Sequence, residues 1–65
     1  MNQADKLRSF LAIDPENMLF NKRRIRLACG VTRQTVNNWI SGKVPIRRAF
    51  QLTINDEFRR NIFDL

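Results

Sequence analysis

Lys22-Arg-Arg-Ile-Arg-Leu-Ala-Cys-Gly-Val-Thr-Arg-Gln-Thr-Val-Asn-Asn-Trp-Ile-Ser41 is the stretch that decides the fold, because two short amphipathic segments flank its single glycine. Ile25, Ala28 and Cys29 stand at three- and four-residue spacing and mark the inward face of one helix, over 22–29. Gly30 follows as the residue best able to adopt the left-handed conformation that stops a helix. Thr32 can cap a second helix, over 33–41, whose apolar residues Val36, Trp39 and Ile40 stand at i, i+3 and i+4. Its other residues, Arg33, Gln34, Asn37, Asn38 and Ser41, fall mostly on the opposite side and form a hydrogen-bonding face rich in amides. A short glycine turn lets the first helix lie across the back of the second, with Val31, Val36 and Trp39 closing the gap.

Outward from this stretch the pattern stays helical. Asn21 is placed to cap the 22–29 helix, with Phe20 as a hydrophobic staple. Upstream, Ala4, Leu7 and Leu11, with Phe10 alongside, predict a first helix over 3–12, and Asp14-Pro15-Glu16 predicts a turn after it. Downstream, Gly42 ends the 33–41 helix, and Pro45 can start a fourth helix over 45–53 with Ala49, Phe50 and Ile54 as its apolar stripe. Asn55 or Asp56 can cap a short last helix running through Ile62. There is no internal repeat, no low-complexity tract and no Asn-Gly or Asp-Gly hairpin signal. The expectation is an all-α fold, a compact bundle of four to five short helices in a single domain over 1–65, containing a helix-turn-helix at about 22–41.

Composition narrows the function. Sixty-five residues support one core, and 43% apolar with 28% charged residues is the balance of a folded domain. One cysteine and no histidine leave no disulfide framework, no soft-metal ligand set and no base to activate a nucleophile. With no glycine-rich phosphate loop either, the expectation is no enzyme, no metal, no cofactor and no small-molecule substrate. Cys29 and Trp39 read as core residues. No apolar run nears the ~20 residues of a membrane span, and the N-terminus lacks a signal-peptide layout, so a cytoplasmic protein is expected. The net charge of +6 is unevenly placed. Residues 17–55 hold eight cations and no acid until Asp56, a net +8, while the outer segments hold four cations against six acids, a net −2. The middle of the chain is therefore expected to meet phosphate.

The phrase Gly30-Val31-Thr32-Arg33-Gln34-Thr35-Val36-Asn37-Asn38-Trp39 resembles the helix-turn-helix of the phage Cro and repressor superfamily, especially the short Cro-like prophage regulators. Residues 20–52 follow that pattern, including Val44-Pro45 and the Arg47-Arg48-Ala49-Phe50 that follows; the ends of the chain do not. The resemblance implies that Arg33, Gln34, Asn37 and Asn38 face base edges and that Lys22 sits over a phosphate. Arg26 departs from the pattern, which has a small residue in the middle of the first helix where the two helices touch; its stem can still lie along the contact with its head in solvent.

The chemistry fits such a role. Asn and Gln can donate and accept together, matching N6 and N7 of adenine, and Arg can fork onto O6 and N7 of guanine. Gln34, Asn37 and Asn38 are thus adenine candidates, and Arg33 a guanine or phosphate candidate. Lys22, Arg23, Arg24, Thr32, Thr35, Lys43, Arg47 and Arg48 are expected to grip the phosphate backbone. The expected function is a sequence-specific regulator of transcription, a Cro-like repressor bound as a homodimer to a palindromic double-stranded DNA operator. Residues 54–65 are the expected dimer contact, through Phe58, Ile62 and Phe63. Three other readings use the same helices: an antitoxin, a helical adaptor binding an acidic protein, or a nucleic-acid binder without sequence preference, RNA included.

Overall fold

A computed structural model describes residues 2–65 and gives four α-helices: α1 (Gln3–Ala12), α2 (Met18–Cys29), α3 (Arg33–Ser41) and α4 (Arg48–Phe58), with a 3-10 turn at Pro15–Asn17. No strand occurs among the described residues, so the protein is a small all-α bundle. No helix in it is long and apolar enough to cross a membrane. Leu7 and Leu11 of α1, Ile25 of α2, Val36 and Trp39 of α3 and Ile54 of α4 meet in one core, joined by Ile46, Ile62 and Phe63 from irregular segments. Trp39 lies tilted against Phe50 with ring centroids 5.0 Å apart, which confirms it as a core residue.

The first and third helices form as their sequence signals require. Asn2 caps α1 by accepting the Asp5 N–H at 2.8 Å, and Thr32 caps α3 by accepting the Thr35 N–H at 3.2 Å. Gly30 (φ 66) and Gly42 (φ 80) end α2 and α3 in the left-handed region. Arg8 reaches from α1 to donate to the Ile40 carbonyl, placing a cation at the negative end of α3, and also pairs with Asp5.

The other helices differ from the sequence expectation, each for a local reason. α2 starts four residues before Lys22, so Asn21 lies inside it and caps nothing, and Phe20, 60% exposed, is no staple. Pro15 is the cause: it starts a helical turn, closed by the Asn17 N–H on the Asp14 carbonyl, which runs straight into α2. With this phase Met18, Ile25 and Cys29 face the core, Cys29 only in part, while Ala28 is exposed.

α4 begins at Arg48, not at Pro45. Ile46 is buried, and the buried Gln51 side chain donates to its carbonyl at 2.6 Å, which holds residues 45–47 extended before the helix. Ala49 is accordingly exposed, whereas Phe50 and Ile54 pack as expected. No separate last helix forms: α4 continues through Asn55 and Asp56 and ends at Arg59, which has φ 49. Asn55 caps a chain reversal instead, accepting the Ile62 N–H at 2.8 Å and donating to Asn61 at 3.1 Å. Lys6 then donates to the Phe63 carbonyl at 3.2 Å and lies 3.4 Å from Asp64, tying the tail to α1.

Candidate nucleic-acid interface

On α2, Leu19, Lys22, Arg23 and Arg26 stand at i, i+3, i+4 and i+7 and therefore share one face; on α3, Arg33, Val36 and Asn37 do the same. The two faces enclose a groove of about 470 Å³ that these seven residues line. Four of the seven are cations and none is an acid. Lys22, Arg23, Arg33 and Asn37, all expected site residues, are thus brought together in one concavity.

Gln34 and Asn38 lie further round α3, where the Gln34 Nε2 donates to the Asn38 Oδ1 at 2.9 Å. Gln34 and Asn37 are exposed, Asn38 half-buried. The Asn38 carbonyl accepts the Ser41 hydroxyl at 3.2 Å and the Val44 N–H at 3.3 Å, so the loop after α3 is fastened to the same residue. Thr32 and Thr35 sit at the start of α3 with their hydroxyls 3.0 Å apart, both taken up in the cap. Lys43 lies exposed in the loop after α3, and exposed Arg47 and Arg48 sit at the start of α4.

Arg24 does not join this cationic surface, contrary to expectation. It faces α4, where its Nε donates to a Glu57 carboxylate oxygen at 2.8 Å and its Nη2 to the Glu57 carbonyl at 3.0 Å. Its guanidinium also lies 4.2 Å from the centre of the Phe58 ring, which meets Phe10 edge-on at 4.8 Å. A cation so placed holds two helices together, its charge paired with Glu57 and its guanidinium turned toward α4.

The expected dimer contact is corrected at two of its three residues. Phe63 is 0% exposed and Ile62 is buried beside it, while Phe58 is half-buried between Phe10 and Arg24. Ile62 and Phe63 complete the core of their own chain and have no face to offer a second copy, while Phe58 keeps part of its surface exposed. The sequence missed this because a tail of apolar residues beyond the last recognisable helix looks the same whether it folds inward or waits for a partner.

Arg26 was also missed as a site residue. Its spacing from Lys22 alone put both on one face of α2. Cys29 is half-buried, and burial pushes its thiol pKa up, which keeps it protonated at neutral pH. Compared with protein-family models, curated proteins and solved structures, the chain matches none.

Proposed function

We propose that this protein is a sequence-specific double-stranded DNA-binding regulator of transcription, a Cro-like repressor that reads the major groove with α3. The observation that carries the reading is the pairing of an amide-rich exposed face on α3 with an adjoining groove lined by Lys22, Arg23, Arg26 and Arg33 and no acid. Exposed amides supply what base edges require, and clustered cations supply what the phosphate backbone requires. Trp39 packs in the core behind α3 and Val36 is buried at the floor of the groove, so the polar face is held by the core and not by a loop. Lys43, Arg47 and Arg48, exposed on the C-terminal side of α3, extend the cationic surface toward flanking phosphates.

One recognition helix covers about half a typical site, which favours a homodimer on a palindromic operator with half-sites about 34 Å apart. Occupying the operator would exclude polymerase or a rival regulator, with no catalysis involved. The cell compartment that fits is the cytoplasm, where such DNA is found.

A selection of duplexes from a random pool by the purified chain tests the proposal. Enrichment of a common two-fold symmetric sequence supports it. Salt-sensitive binding without enrichment would replace it with a non-specific nucleic-acid binder, and no binding at all would favour an adaptor for an acidic protein.

A further inference from the structure

The groove between α2 and α3 gathers four cations, none of them in an ion pair among the described residues, around one concavity. Lys6 pairs with Asp64, Arg8 with Asp5 and Arg24 with Glu57, whereas among the described residues Lys22, Arg23, Arg26 and Arg33 have no carboxylate within ion-pair distance. Like charges around a concavity reinforce one another, because low-dielectric walls focus the field into it. An anion entering the groove relieves that repulsion and gains charge-assisted hydrogen bonds from guanidinium groups.

Burial and side-chain chemistry together single out one residue. Lys22 and Arg26, one turn apart on the same face of α2, are both half-buried, whereas Arg23 and Arg33 are exposed; of the two half-buried cations only Arg26 has a guanidinium fork that can take two phosphodiester oxygens at once. A half-buried side chain has less rotamer freedom to lose on binding than a fully exposed arginine. At about 470 Å³ the groove has room for a phosphodiester with several waters, each taking about 30 Å³. Leu19, 82% exposed at its edge, offers an apolar surface to the carbon face of a deoxyribose.

We propose that the groove seats one backbone phosphate of the bound duplex and that Arg26 is the anchoring ligand, closing on the phosphodiester oxygens together with Arg33. This inference rests on the reading of α3 as the DNA-facing helix. It makes Arg26 a positioning contact: it fixes how deep α3 sits and carries no sequence information.

The test compares wild type with Arg26→Met, which keeps an unbranched apolar stem, and with Arg26→Gln as a second variant should the first fail to fold. Dissociation constants are measured on the selected duplex and on a random-sequence duplex over a range of salt, after thermal melting has established that the variant is folded. The expected result is binding weaker by the same factor on both duplexes, about five- to tenfold near 0.1 M salt, with the slope of log affinity against log salt reduced by about 0.9. Wild-type binding with a variant slope and affinity unchanged would overturn the role of Arg26 while leaving the proposed function standing. A loss confined to the selected duplex would also overturn it, by making Arg26 a base reader. A wild-type chain that binds no duplex but does bind a polyglutamate peptide would overturn the proposed function and this inference with it.

Discussion

Gln34 Nε2 donates to Asn38 Oδ1 at 2.9 Å, linking two side chains one turn apart on the outer face of α3. The bond leaves Gln34 with its carbonyl oxygen and one N–H, the pair that matches N6 and N7 of adenine, and leaves Asn38 with its two amide hydrogens for an acceptor on the next base. Under the proposed function the two residues would therefore act as one reader. Gln34→Ala is expected to lose about 1–3 kcal/mol on the selected duplex and little on random DNA. Combining it with Asn38→Ala should cost less than the sum of the single losses, with a coupling of about 0.5 kcal/mol or more in a double-mutant cycle. Strict additivity would show the two amides reading independently. Lys43→Ala is the contrast, expected to weaken both duplexes alike.

Arg24 separates stability from binding within the same basic stretch. Its contacts with Glu57 and Phe58 join α2 to α4, but both partners of the ion pair are about a third exposed, so solvent screening limits their worth. Arg24→Ala is expected to cost about 1 kcal/mol and to lower the melting midpoint by about 4–8 °C, while the folded protein binds DNA as wild type does. A changed salt slope with unchanged melting would return Arg24 to the phosphate contacts.

Burial of Phe63 makes the tail part of the fold. Phe63→Ala is expected to cost about 3–5 kcal/mol, which is comparable to the whole stability available to a chain this small. The variant should therefore be largely unfolded by circular dichroism at room temperature. A folded Phe63→Ala protein that has merely changed its sedimentation coefficient would restore the tail as an interface.

The turn between α2 and α3 needs a left-handed residue at Gly30, whose N–H, like that of Val31, is accepted by the Arg26 carbonyl. Gly30 has φ 66, and a Cβ built there meets nothing within 4 Å, so Gly30→Ala pays only the left-handed conformation, about 1–2 kcal/mol. Gly30→Asn should cost less, since asparagine tolerates that region better. Chemical denaturation of the three proteins checks the order.

Elements with both a cap and a stop in the sequence were legible. Thr32 and Gly42 bound α3 as read, and Trp39 lies in the core as its spacing with Val36 implies. What failed was phase and destination. A turn forms at 14–16 as expected, but Pro15 also winds the chain straight into α2, so that helix starts upstream of Asn21; Phe20 and Ala28 lie outward. Helix 4 was misplaced because Ile46 is fixed by a hydrogen bond from Gln51, a contact that no periodicity displays. At the site, the acid-free charge of the middle segment was legible, but its division into free cations and the committed Arg24 depended on Glu57, thirty-three residues away.

The ratio of dissociation constants for the enriched duplex and a random duplex, at one salt concentration near 0.15 M, tests the central claim most directly. An α3 that reads base edges is expected to give a ratio of at least about a thousandfold, reduced by Gln34→Ala. A ratio near one, unaffected by that substitution, would contradict it and leave the basic groove as a grip without a reader.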